Sequence, residues 1–122
     1  MYKRQTLEHV LTPAAFEHMI ALAKRFSDGV AAEIHAAHLP WNVTRLGARA
    51  EYTFTPHAPR NGSESYAASD FELERLLHLY ALNRGVLLTP FHSMALMCPA
   101  TTESDVDIHT RIFSAAIREL IA

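Results

Sequence analysis

The sequence predicts an α+β domain: a small, mainly antiparallel sheet with helices packed on one face, in the order α-β-β-α-β-β-α. Three observations predict it. Apolar residues recur at three- and four-residue steps near the N-terminus, in the middle and at the C-terminus, which is helical spacing. Between these stretches lie short runs that alternate or are wholly apolar, as strands do. No regular helix separates the strands within each pair, so paired strands turn back on one another instead of crossing over.

Residues 1–5 carry no periodicity and are expected to be a non-native or disordered leader, with one domain from 6 to 122. Thr12-Pro13 opens the first helix, with Thr as N-cap and Pro at the first helical position. Phe16, Met19, Ile20, Ala23, Phe26, Val30, Ile34 and Ala37 then mark one face of a long amphipathic helix ending near His38, before Pro40. Gly29 weakens that helix by about 1 kcal/mol relative to Ala and allows a bend. Residues 41–46 and 49–55 read as two strands around Gly47-Ala48. In the second, Ala50, Tyr52 and Phe54 face one side and Arg49, Glu51 and Thr53 the other. Prolines, Gly62, Asn61 and serines make 56–68 a mobile loop.

Ser69 and Glu72 have capping-box spacing, so a helix starts there and runs to Asn83. Leu73, Leu76, Leu77 and Tyr80 form its stripe. Leu79 and Leu82 widen it, so this helix is expected to be covered on more than one side. Gly85 is placed to cap its C-terminus in the left-handed conformation. Residues 86–88 and 95–97 are two compact apolar runs, read as buried strands on either side of Pro90 and a loop, Phe91-His92-Ser93-Met94. Pro99 ends the second run. Thr102 and Asp105 cap the last helix, whose core face is Val106, Ile112, Phe113, Ala116, Ile117 and Leu120.

Composition excludes several classes. A net charge of −2 gives no basic footprint for nucleic acid or an anionic membrane. No apolar run reaches the roughly 18 residues of a transmembrane span, and no signal peptide is visible. The single cysteine, Cys98, allows no internal disulfide and fits a reducing, cytoplasmic setting, where it reads as a buried, inert thiol.

The run Gly-Val-Leu-Leu-Thr-Pro-Phe-His from Gly85, followed by Ala-Thr-Thr-Glu-Ser-Asp-Val-Asp from Ala100 and a closing helix, resembles a known family. It is similar to the C-terminal domain of the class III aminotransferases, fold-type I enzymes that use pyridoxal phosphate. The nearest branch contains glutamate-1-semialdehyde 2,1-aminomutase. The likeness extends over 6–122 and includes Leu39-Pro40-Trp41, Arg45-Leu46-Gly47 and residues 74–80. It corresponds to the last quarter of a family member. The resemblance implies a homodimeric enzyme that moves an amino group between an amino acid or amine and a 2-oxo acid. It places the cofactor-holding lysine in a large domain that this chain lacks. It assigns Thr89, Phe91, His92, Ser93 and Met94 to the substrate-side wall. Where the aminomutase branch carries a glutamate, this chain has Met94, which has no proton to transfer. That departure favours an aminotransferase with a more apolar pocket over an aminomutase.

The residues themselves agree that the cofactor is not held here. Lys3 lies in the leader and Lys24 on a helix face, and no Gly-rich strand–helix turn cradles a phosphate. His92 is the titratable group of the loop, and a turn residue bonded to backbone or water is its plainer reading. Arg45 and Arg49 have the fork for a substrate carboxylate, or are simply solvated strand residues. His35 and His38 lie three apart without a cysteine or acidic partner, so a metal site is not expected. A reading from another class also stands: a free-standing, non-enzymatic domain that binds a partner chain through its first helix.

Overall fold

The computed structural model describes residues 2–89 and 92–122. Tyr2–Gln5 form a helical turn (α1) that runs into a π-helical turn, Thr6–Val10, and neither buries a side chain. Of the residues set apart as a leader, 2–5 are thus helical. Helix α2 spans Pro13–Ala36, with the Thr12 hydroxyl accepting from the Ala15 amide and Pro13 at its first position. Its C-terminus closes in a Schellman motif. The His38 amide donates to the His35 carbonyl and the Leu39 amide to that of Ile34. His38 takes the left-handed conformation there, at φ 52°, a position that usually belongs to glycine.

Strands β1 (Asn42–Leu46) and β2 (Arg49–Thr53) pair antiparallel, with Val43 opposite Tyr52 and Thr44 opposite Glu51. Gly47 has positive φ and Ala48 does not, the pattern a two-residue type II′ hairpin requires. β2 alternates as expected: Ala50 and Tyr52 are buried, Arg49 is exposed. Both strands are shorter than the sequence suggested. The Asn42 side chain bonds the Thr53 hydroxyl at 2.6 Å and the Thr55 carbonyl at 2.7 Å, so a side chain replaces the last rung of the ladder. Strand β3 (Met94–Leu96) adds to the other edge of β2, placing Glu51 opposite Met94 and Ala50 opposite Ala95.

Three expectations fail locally. Residues 86–88 are not a strand, so the sheet has three strands among the described residues. The Val86 amide is taken by the Ala81 carbonyl in a second Schellman motif around Gly85. The nearest thing to a rung with β3 is Thr89 N–H to the Met94 carbonyl, at 3.4 Å. The 56–68 loop contains a helix, α3 (Gly62–Ala67), capped by Asn61, whose side chain accepts from the Glu64 amide. The next helix, α4 (Phe71–Leu82), is capped by Asp70 and not Ser69. The Asp70 carboxylate accepts from the Leu73 amide at 3.0 Å, while the Ser69 hydroxyl turns back to the Ser65 carbonyl. A carboxylate at an N-cap also meets the positive end of the helix dipole, which favours it over a hydroxyl.

Helix α5 (Glu103–Ile121) starts in a complete Thr102–Asp105 capping box. It packs on α2, and α2 packs on β1 and β2, so one face of the sheet is covered by helices. Phe26, Leu22, Val30 and Ile117 are the largest fully buried side chains. Tyr52 of the sheet meets Phe113 of α5 at 5.1 Å between ring centroids, and Trp41 meets Phe54 edge-on at 4.9 Å. Within α5 the core face is Val106, His109, Phe113, Ala116 and Ile117. Ile112 is half-buried and Leu120 exposed, and a histidine takes a core position.

Candidate functional site

Ser93 and Met94 owe their position to β3, where Met94 is the first rung against Glu51. Ser93 is anchored there. Its carbonyl accepts from the Tyr52 amide at 3.0 Å, and only 7% of the residue is exposed. Its hydroxyl also bonds the Tyr52 side chain. Burial pushes the Tyr52 phenol up to about 12, and the bond to Ser93 opposes that rise. Ser93 is therefore a structural tie as much as a pocket residue.

His92 next to it is exposed. His92 and Ser93 border a concavity of about 240 Å³ whose wall includes Glu51, Tyr52 and Glu74. Burial holds the Glu74 carboxyl above its ordinary range, and the nearby His92 opposes this. Glu51 is paired to Arg49. The arrangement offers an imidazole, a carboxyl that readily takes a proton and a hydroxyl to one small space.

Thr89 and Met94 go elsewhere. They line a second cavity, of about 330 Å³, whose wall includes His109, Phe26 and Met97. The segment that the sequence treated as one wall thus divides between two hollows. Phe91, the remaining member, lies outside the described residues. The sequence missed His109. The signal was its spacing, three residues after Val106 and four before Phe113, on the buried stripe. Glu51 and Glu74 were also missed as pocket groups, because their meeting depends on the β2–β3 register and the placement of α4.

The other residues weighed in the sequence resolve simply. Lys24 is exposed and donates to Asp28 at 2.6 Å, and Lys3 is exposed on the first helical turn. The four glycines lie within α2, in the hairpin, at the start of α3 and after α4, so none forms a phosphate-cradling strand–helix turn. The described residues therefore do not fit pyridoxal phosphate. Arg49 is spent on Glu51, and Arg45 is exposed. Among the described residues, no group of three or more His, Cys, Asp or Glu could hold a metal, and no helix is long and apolar enough to cross a membrane. Cys98 is a correction: it is exposed, not buried. The Thr101 hydroxyl donates to its sulfur at 3.3 Å and holds the thiol below its ordinary value.

No family model matches the chain. Among solved structures, it is similar to a glutamate-1-semialdehyde-aminomutase from Pseudomonas aeruginosa PAO1, at 52% identity over 96% of this chain, with a TM-score of 0.93. A variant of that protein in complex with PMP matches equally. An omega-transaminase from Sphaerobacter thermophilus shares the fold at 20% identity, covering 92% of this chain with a TM-score of 0.72. A beta-phenylalanine aminotransferase from Variovorax paradoxus shares it at 24% identity, covering 93%, also with a TM-score of 0.72. The chain spans 26% of the length of each of these proteins.

Proposed function

We infer, for a chain that belongs by fold and sequence with the C-terminal domain of the class III aminotransferases, glutamate-1-semialdehyde aminomutase-like branch, that it serves as the substrate-side domain of such an enzyme. The whole enzyme would move an amino group between an amino acid or amine and a 2-oxo acid, as a cytoplasmic homodimer. The observation that carries the reading is the 52% identity over 96% of the chain, with a TM-score of 0.93.

Pyridoxal phosphate supplies the electron sink in such enzymes. Among the described residues no lysine or phosphate cradle is placed to hold it, so its lysine and phosphate site would belong to a large domain. The described loop residues contribute Thr89, His92, Ser93 and Met94 to the substrate's surroundings. Ser93 fixes the loop to β2, His92 presents a titratable ring, and Met94 offers an apolar, polarizable surface. The unpaired apolar side chains on α2 and α4 support a further body of protein lying against this one. An exposed thiol without a disulfide supports a reducing compartment.

One observation favours a second reading, an aminomutase: the 52%-identical structures are of that kind. Met94 opposes it, because isomerising a substrate within one site needs a group that moves protons. A chimera separates the two. The matching quarter of the Pseudomonas aeruginosa enzyme is replaced by this chain, and both amino transfer to a 2-oxo acid and isomerisation are assayed. The expected result is a folded, cofactor-bearing chimera that transfers amino groups and isomerises at least about tenfold more slowly than its parent, with Met94→Glu restoring part of the loss. Undiminished isomerisation would favour the aminomutase. A chimera that binds no cofactor, or an isolated chain that holds the cofactor stably through Lys24, would remove the domain assignment.

A further inference from the structure

Asn61 and Gly62 form the chain's one Asn-Gly pair, exposed at the start of α3. An asparagine side chain can turn to the backbone nitrogen that follows it, and a side chain on that next residue hinders the approach. Glycine has none, and a Cβ built on Gly62 meets nothing within 4 Å, so the space around it is open. As the first helical residue, Gly62 has no intrahelical carbonyl to hold its N–H. What restrains the pair is the cap. The Asn61 Oδ1 accepts from the Glu64 amide at 2.9 Å, and Nδ2 donates to the Glu64 carboxylate at 3.1 Å. Arg60 fixes that carboxylate through its backbone amide at 2.8 Å and its guanidinium at 3.0 Å. Yet α3 is six residues long and buries no side chain, and helices so short are marginal. Each time its first turn frays, the Asn61 side chain is released. The same chemistry is disfavoured elsewhere. Asn42 precedes Val43 and Asn83 precedes Arg84, while Asp28-Gly29 lies inside α2, where the Gly29 N–H is bonded along the helix.

We propose that Asn61 is a modification site: the folded chain loses the Asn61 side-chain amide through a cyclic imide with Gly62, at a rate set by the Glu64 cap. The Gly62 nitrogen gives its proton to water and bonds to Asn61 Cγ. The Cγ–Nδ2 bond breaks, and the amide leaves as ammonia. Water then opens the imide at either carbonyl. Opening at Cγ leaves aspartate in a normal backbone. Opening at the backbone carbonyl leaves isoaspartate, with the main chain rerouted through Cβ and Cγ. Water is taken up and ammonia released, with no oxidant or reductant. Both products act on α3. Aspartate keeps the cap acceptor but loses the donor to Glu64 and sets two carboxylates side by side. Isoaspartate lengthens the main chain and takes the Glu64 and Ser65 amides out of register with residue 61. Gly62, Ser65 and Tyr66 of α3 border the concavity of His92 and Ser93, so the change reaches that wall. Its bearing on amino transfer rests on the function proposed above, and the chemistry at Asn61 does not.

The test incubates this chain, folded and in urea, at neutral pH and physiological temperature. Residue 61 is followed by peptide mapping, with enzymatic methylation to mark isoaspartate. The folded wild type should gain aspartate and isoaspartate at that position, several-fold more slowly than the unfolded chain. Glu64→Ala should speed the folded reaction several-fold and leave the unfolded rate unchanged. Gly62→Ala, for which the fold has room, should slow both. Three results would overturn the proposal: a folded chain that keeps Asn61 intact while the unfolded chain loses it, equal rates in the two states, or a folded Glu64→Ala variant that reacts at the wild-type rate. Where Glu64→Ala does not fold, the comparison of folded with unfolded wild type decides alone.

Discussion

His109 puts a titratable ring where a phenylalanine would be at ease, and the consequence is a pH-dependent fold. In the unfolded chain a histidine takes up its proton near pH 6.5. In the fold, burial delays this to about pH 4. Unfolding therefore binds a proton between those values. The stability is full above about pH 6.5 and falls as the pH drops toward 4, by about 3 kcal/mol in all. His109→Phe removes this one titration and leaves the exposed carboxylates in place. The difference in urea midpoint between wild type and variant should narrow on the alkaline side and widen steadily in the variant's favour from pH 7 to pH 4.5. A constant difference across that range would show that the ring is not buried neutral. The position was readable as core from its spacing to Val106 and Phe113, but the residue type hid it, because histidine on a buried stripe breaks the apolar pattern that reveals one. Cys98 failed in the opposite sense. Small thiols are usually buried, and only the tertiary course of the chain after β3 brings this one out.

At the scale of elements, most helix ends were legible, the start of α4 being the exception, and the second strand pair was not. Thr12-Pro13, Gly85 and Thr102/Asp105 act through bonds within a few residues, so a local pattern determines them. Asn61 and Glu64 carried the same kind of signal, but the prolines and serines around them obscured it. Residues 86–88 are different, because a strand exists only if a partner edge accepts it, and β3 meets that segment across a cavity. Gly29 is the case where local and tertiary demands conflict. Helix propensity alone favours alanine there by about 1 kcal/mol. A Cβ at this position would lie 2.9 Å from the Thr110 hydroxyl and 3.0 Å from its methyl, and that hydroxyl is itself bonded to the Val106 carbonyl. Overpacking of this kind costs about 1–3 kcal/mol. Gly29→Ala is therefore expected to destabilise the chain by about 1 kcal/mol in denaturant titration. In a Thr110→Ala background both offending atoms are gone, and the same substitution should stabilise by up to about 1 kcal/mol. A single Gly29→Ala variant more stable than wild type would mean that α2 and α5 are not in contact at that point.

The whole molecule leaves apolar surface unspent. Leu76, Leu79 and Leu82 lie at three-residue steps along α4 and are 48%, 47% and 43% exposed, while Phe16 and Ile20 on α2 are 44% and 39% exposed. The sequence placed Leu79 and Leu82 on a second buried side of that helix, and among the described residues nothing on that side buries them. Soluble monomers seldom leave such stripes open, since each leucine fully removed from water contributes about 1.5–3 kcal/mol. Pairing with another copy is one way to cover them, and packing against a larger body is the other. The chain taken by itself should therefore associate as its concentration rises, seen as a growing sedimentation coefficient. Leu79→Lys with Leu82→Lys should return it to a monomer. Because both side chains are already close to half exposed, the double variant should unfold within about 1 kcal/mol of wild type, as most surface substitutions do. A wild-type chain that stays monomeric at every concentration would mean that these leucines drive no association. A large loss of stability in the double variant would mean that they are held in the core of this chain after all. If the variant is monomeric and stable, and the same two lysines also abolish cofactor loading in the chimera described above, then the face that drives self-association is the one that meets the larger body.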